Sequence, residues 1–205
     1  MVNGVDTAAR RPLRADAQRN YDLILAAAQK AFAAHGAGAS LEEIARRAGV
    51  GSATLHRHFP SRAALLRAVF RDRVEALCAR AEEHTLASEP GTALFSWLRD
   101  FNAYAAASRG LVASLLHDGR DADLLTEDDG CAATITSAAG QLLREAQQLG
   151  TVRPGIRTED MLALVSGISL ATEGQDDDGT QAARLLDIAI DGMRAPRCGH
   201  TALDS

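Results

Sequence analysis

The side chains best suited to chemistry in this 205-residue chain lie in one short segment, between Leu41 and Phe59. Its second half brings hydroxyl, imidazole and guanidinium groups together, at Ser52, Thr54, His56 and Arg57. Such groups form hydrogen bonds with base edges and phosphate oxygens in the major groove of DNA. The segment therefore has the composition of a DNA-reading surface, provided that these side chains project outward from a helix.

Two short helices separated by a tight turn are predicted to carry these groups. Ser40 is a good N-cap for the first helix, and Glu43 is placed to complete a capping box with it. Gly49 can adopt the left-handed conformation that ends a helix. Small residues on the first helix let the second cross it closely, and larger apolar residues fill the wedge between them. The small residues are Ala45 and Ala48, and the larger ones are Ile44, Val50 and Leu55. This spacing is that of a helix-turn-helix.

The charge of the chain is divided between its two ends. Residues 1–80 contain 13 Arg and Lys against 7 Asp and Glu, whereas residues 81–205 contain 9 against 20. A basic N-terminal part followed by an acidic C-terminal part is typical of a protein in which one domain binds a polyanion and the other domain does not. The alternative, that residues 41–59 are merely two packed helices of a bundle, does not explain this asymmetry.

The run from Ala48 to Leu66, AGVGSATLHRHFPSRAALL, resembles the DNA-binding signature of the TetR (AcrR-like) family of transcriptional repressors. The resemblance covers roughly residues 17–70. It implies a three-helix DNA-binding domain, a fourth helix that links it to a ligand-binding domain, and two last helices that form a homodimer. Gly51 and His56 depart from the family pattern, which usually has a Ser or Thr cap and a phosphate-contacting Tyr at these positions.

The resemblance also implies roles for individual residues on a double-stranded operator. Thr54 and Arg57 are expected to contact bases or phosphates, and Ser52 and His56 to contribute at the groove. Arg62, at the start of the fourth helix, is expected to reach a phosphate. Of the two arginines on the outer side of the first motif helix, we expect Arg46 to contact the DNA backbone, whereas His58 is expected to pack or cap.

The whole chain is predicted to be all-α, with about nine helices. Aromatic residues make up only 4% of it, which disfavours an all-β fold. The first helix is expected to begin near Ala17 and to stop at Gly36, and later helical patterns include Leu94 to Tyr104 and then Leu111 to Leu116. The predicted organisation is a flexible basic arm (1–15), a helix-turn-helix domain (16–62), a linking helix (63–86), a ligand-binding and dimerisation domain (87–194) and a flexible tail (195–205).

An aromatic stripe in the C-terminal part indicates either core or pocket. Trp97, Phe101 and Tyr104 share one helical face. Such a stripe is ordinarily core, but the resemblance places the pocket for an unknown small-molecule effector here. Polar or soft side chains that could line the pocket are Asn102, His117, Thr134, Gln141 and Met161.

The last two helices are predicted to form a homodimer interface. The run from Met161 to Leu170 is apolar nearly all round and contains small residues that let another helix approach. Leu164 and Ile168 of this helix, with Leu185 and Ile188 of the last helix, are the expected contacts. A buried helix within one subunit is the alternative. Dimerisation is favoured because two recognition helices read more base pairs than one.

Other classes of protein find less support in the sequence. It has no G-x-G-x-x-G, P-loop, G-x-S-x-G or H-E-x-x-H motif, so we expect no catalytic residues, no metal and no cofactor. The three Cys show no short paired spacing.

With no signal-peptide profile and no long apolar run, the chain is expected to be cytoplasmic, without a membrane partner. The remaining alternatives are a helical DNA-binding protein without an effector, architectural or constitutive, and an all-α enzyme.

Overall fold

The computed structural model describes residues 10–118, 130–173 and 179–196, with side chains at 15–36, 38–108, 130–173 and 179–196. Within these ranges the fold is all-α, as predicted, and eight α-helices are present. They are α1 (Arg10–His35), α2 (Leu41–Ala48), α3 (Ser52–His58), α4 (Arg62–Ala87), α5 (Ala93–Asp118), α6 (Cys131–Gln148), α7 (Thr158–Ala171) and α8 (Thr180–Met193). A single 3-10 turn, Gly36–Gly38, follows α1. About nine helices were predicted, and the two helical stretches around Tyr104 and Leu111 belong to one helix, α5.

The first helix begins earlier than the sequence predicted. Arg10, Arg11 and Arg14, which were assigned to a flexible arm, have helical backbone in α1. Pro12 suggested an interruption, but it lies in the first turn, where the N–H that proline lacks has no helical partner in any case. The remainder of the predicted arm, residues 1–9, lies outside the described part of the chain, as do residues 197–205 of the predicted tail.

Contacts divide the chain into two compact units, residues 1–72 with 107–127, and residues 73–106 with 128–205. The core of the first unit is formed by apolar side chains of α1, α2, α3 and the beginning of α4. Its fully buried members include Ile24, Ile44, Leu55, Leu65 and Val69. Because α2 and α3 are too short to be stable alone, their helical form depends on burial of these residues.

The core of the second unit is centred on Trp97, which is fully buried. Its indole Nε1 donates a hydrogen bond to the carbonyl oxygen of Leu77 at 2.9 Å. The ring of Phe101 lies parallel to the indole, with 5.5 Å between the centroids. Satisfying the indole N–H is what allows so large a polar-tipped side chain to be buried. Among the described helices, none has the length and apolar composition required to span a bilayer.

Candidate DNA-binding surface

The turn between α2 and α3 has the geometry that the sequence predicted. Ser40 Oγ accepts the Glu43 N–H at 3.4 Å, and Gly49 has a left-handed φ of 70°. The N–H of Val50 then donates to the Ala45 carbonyl at 3.0 Å, which closes the turn. A residue with a Cβ would be strained at position 49. The glycine at this position therefore determines the angle between α2 and α3.

Helix α3 is anchored by one side and exposed on the other. Leu55 is 1% exposed and lies in the core of the first unit, and Phe59 directly after the helix is also buried. Ser52, His56 and Arg57 are exposed, and Thr54 is partly buried at the edge of the exposed face. Gly51 is the N-cap, and no side chain caps the helix. The structure therefore brings the predicted reading residues to one surface of α3.

His58 belongs to the packed side of α3, as expected. It is partly buried, and its ring meets the edge of Tyr21 in α1 at a centroid distance of 6.2 Å. Tyr21 in turn packs on Phe59 at 4.9 Å. This aromatic group fixes the end of α3 against α1, so His58 is placed to hold the helix rather than to read bases.

Glu43 binds the two arginines on the outer side of α2. Its carboxylate accepts hydrogen bonds from Arg46 Nε at 2.7 Å and Nη2 at 2.8 Å, and from Arg47 Nε at 2.6 Å. The hydrogen bonds from Arg46 and then from Arg47 lower the pKa of Glu43 from 4.5 to about 2. The pairing is thus complete above about pH 4.5 and is lost only as the pH falls through 2. Of the predicted capping box, the bond from the Glu43 N–H to Ser40 Oγ is present, whereas the Glu43 carboxylate binds the two arginines.

This pairing leads to a prediction for Glu43→Gln. We expect the variant to bind duplex DNA several-fold more tightly at low salt, because Arg46 and Arg47 lose the carboxylate that neutralises them. The dependence of log affinity on log salt should also become steeper, since more phosphates can be neutralised. Fluorescence anisotropy over a salt series measures both quantities.

Glu42→Gln is the matched control, since Glu42 is exposed on the same helix and has no ion pair within the described residues. It changes the net charge equally without releasing an arginine. Equal gains in affinity from the two variants would contradict the proposed role of the Glu43 pairing.

The Arg62 side chain forms a hydrogen bond within the first unit. Its Nη1 donates to the Ala39 carbonyl at 2.6 Å, and the preceding Ser61 caps α4 by accepting the Ala64 N–H at 3.1 Å. Nearly three turns later, Asp72 accepts a hydrogen bond from the Gln29 side chain of α1. Arg62 thus links α4 to the loop before α2, and its predicted contact with phosphate stays a prediction.

The residues predicted to form the dimer interface lie on exposed surface of α7 and α8. Leu164 is 47% exposed and Ile188 is 68% exposed, whereas Ile168 and Leu185 are half-buried. Gly167 is also exposed, and no heavy atom lies within 4 Å of the position a Cβ would occupy there. In this single chain the two helices therefore bury one face in the core of the second unit and present apolar side chains of another face to solvent.

The residues predicted to line an effector pocket are placed differently. Trp97, Phe101 and Met161 are buried in the core of the second unit, and Tyr104 stacks on Phe101 at 6.3 Å. Their helical spacing is that of a core-facing stripe, and the pocket predicted around them stays a prediction. Thr134, in the first turn of α6, is exposed. Its hydroxyl donates a hydrogen bond to the Gly130 carbonyl oxygen at 2.9 Å. The side chain of His117 lies outside the described part of the chain.

An open groove of about 430 Å³ lies between α4 and α6. Of the residues predicted to line a cavity, Gln141 borders this groove, which also contains Glu82 and Glu145. The two carboxylates were not predicted from the sequence, because they are far apart along the chain and no local motif connects them.

Comparison with known proteins agrees with this architecture. Residues 24–69 match the family model of bacterial regulatory proteins of the tetR family, and residues 89–195 match the C-terminal domain of SbtR-like transcriptional regulators. A TetR transcriptional regulator from Streptomyces coelicolor, SCO0520, is 38% identical with a TM-score of 0.72, covering 85% of this chain and 98% of that one. The TetR regulatory protein from Mycobacterium vanbaalenii is 39% identical, also with a TM-score of 0.72, covering 90% and 100% of the two chains.

A curated relative extends the similarity. The HTH-type transcriptional regulator UidR of Escherichia coli strain K12 is 27% identical over 170 residues, which are 80% of this chain and 87% of UidR. The matched models together include the helix-turn-helix and the helices that follow it, and the structural relatives are covered almost completely. On this evidence the chain belongs to the TetR family of transcriptional regulators.

Proposed function

We propose that this chain is a homodimeric repressor that reads a near-palindromic operator with α3 and leaves it when a small molecule binds its C-terminal part. Residues 16–62 would read DNA, 63–86 would link, and 87–194 would bind the effector and the second copy. The observation that carries the proposal is the exposed polar face of α3, held outward by the buried Leu55. The family membership supports DNA binding by this helix.

The proposed reading is by direct contact in the major groove. Thr54 and Arg57 would hydrogen-bond base edges or phosphates, with Ser52 and His56 contributing at the groove. Further arginines on the first unit, Arg46 and Arg62 among them, would bind phosphates and fix the register of α3 on the duplex.

The dimer is proposed on the exposed apolar face of α7 and α8. Two copies would pack these helices into a four-helix interface, with Leu164 and Ile188 at its centre. Their two recognition helices would then lie about one turn of DNA apart, roughly 34–36 Å, and meet two half-sites on one face of the duplex.

Release is proposed to act through α4. An effector that binds one orientation of α4 better than another would separate the two reading helices beyond the spacing of adjacent half-sites. Only the difference in binding free energy between the two conformers drives this change.

Binding to a selected operator is expected to weaken strongly with salt. The test uses a duplex selected from a random pool by the purified protein, and a scrambled duplex of the same composition as competitor. We expect log affinity to fall linearly with log salt, because phosphate contacts release counterions, and the scrambled duplex to compete poorly. A flat salt dependence would contradict the charge argument. Equal competition by the scrambled duplex would favour a non-specific DNA-compacting protein.

A further inference from the structure

The groove between α4 and α6 has an apolar inner part and an open mouth. Ala81 of α4 and Leu142 of α6 line it and are 8% and 4% exposed, while Leu86 borders it and is 88% exposed. Its volume of about 430 Å³ falls in the size range of small-molecule sites. The apolar part of a ligand in this groove would cover both the exposed Leu86 and the recessed apolar surface beside it.

Each wall of the groove also carries a carboxylate. Glu82 lies on α4 and Glu145 on α6, one helical turn or less from Ala81 and Leu142 respectively. Within the part of the chain that the structure describes, neither Glu82 nor Glu145 has an ion pair or a side-chain hydrogen bond. Two uncompensated negative charges on opposite walls give the groove a negative potential.

The residues that line the groove restrict the chemistry of its occupant. An anion would be repelled by both carboxylates. Calcium takes six to eight oxygen ligands, roughly, whereas much of this lining is Ala and Leu. A neutral apolar molecule would cover the carboxylates without compensating their charge, which costs free energy.

We propose that the groove between α4 and α6 binds an organic cation, an amine with an apolar body, whose charged nitrogen lies between Glu82 and Glu145. The apolar body would pack on Ala81, Leu142 and Leu86, and the amide of Gln141 offers a further hydrogen-bond acceptor. The inference names the chemical class of effector and rests on the proposed function for that regulatory role. Binding itself does not depend on it, since α4 and α6 line the groove in the single chain.

Calorimetric titration with three probes of the same apolar body tests the proposal. Phenylbutylamine is cationic, phenylbutanol is neutral and phenylbutyrate is anionic at neutral pH. We expect the amine to bind the wild-type protein at least about tenfold more tightly than the other two, because only its charge is complementary to the carboxylates.

The variants Glu82→Gln and Glu145→Gln, combined in one protein, should lower the affinity for the amine about tenfold and leave that for the alcohol unchanged. Glu83→Gln is the matched control, because Glu83 is exposed on the same helix and does not line the groove. All three substitutions are at solvent-accessible positions, and circular dichroism verifies the helical content. Equal amine affinities of the double variant and the wild type would overturn the proposal, as would binding of the alcohol as tight as that of the amine.

Operator binding is measured separately, on the selected duplex with and without the amine. Amine binding together with a loss of operator affinity supports both the site and its regulatory role. Amine binding that leaves operator affinity unchanged keeps the site but overturns the effector role. A protein that binds the amine and no duplex would contradict the proposed function and leave the groove assignment intact.

Discussion

Replacing Arg57 by alanine is expected to lower the affinity for the selected operator by about tenfold per half-site and by up to about a hundredfold for the dimer. Arg57 is exposed on α3 and has no hydrogen bond or ion pair within the described residues, so its guanidinium is available for DNA. A contact of this kind contributes roughly 1–3 kcal/mol, and a symmetric dimer makes it twice. Anisotropy titrations at fixed salt give the affinity.

The matched control for this substitution is Arg153→Ala. Arg153 is exposed in the second unit, so the control removes the same charge far along the chain from α3. Sedimentation should show that both variants keep the oligomeric state of the wild type. An Arg57→Ala protein with wild-type affinity, or one no weaker than Arg153→Ala, would show that α3 reads DNA through other residues.

Ile188→Arg is expected to convert the protein into a folded monomer and to lower operator affinity by at least about a hundredfold. Ile188 is 68% exposed in the single chain, so arginine can be accommodated without disturbing the core. In the proposed dimer the two introduced charges would be buried near one another without partners, which is strongly unfavourable. Sedimentation velocity reports the mass, and anisotropy reports the loss of two-site binding.

Leu149→Arg provides the control for Ile188→Arg. Leu149 is 50% exposed directly after α6, so the chemical change is the same but lies outside α7 and α8. We expect this variant to remain dimeric. An Ile188→Arg protein that stays dimeric, or a wild-type protein that is monomeric at micromolar concentration, would rule out the α7 and α8 interface.

Local sequence signals predicted the two short helices and the turn of the helix-turn-helix. Ser40, Gly49 and Ser61 act through backbone groups no more than a few residues away, and Leu55 points inward because of its helical register. For the same reason the exposed side of α3 could be predicted residue by residue. Interactions between residues that are close in the sequence can be predicted from the sequence alone.

The interpretation of the C-terminal part depended on information that is not local. An aromatic stripe such as Trp97 and Phe101 is typical of a core, but the sequence does not show what it packs against. In the structure the Trp97 indole bonds to Leu77, which lies 20 residues earlier on α4. Cys78 and Cys131 are distant in sequence but pack against the same core, where burial, and secondarily the Cys131 thiolate, raise the pKa of Cys78. The groove likewise requires the register between α4 and α6, which no pattern within either helix contains.

The two contacts that fasten the start of α4 have a mechanical consequence. The Arg62 bond to the Ala39 carbonyl and the Gln29 bond to Asp72 tie the first three turns of α4 to α1 and to the loop before α2. Helix α4 has 26 residues and is therefore about 39 Å long, so a tilt of about 5° displaces its far end by about 3 Å. We therefore expect a tilt of α4 to turn α1 together with the first turns of α4.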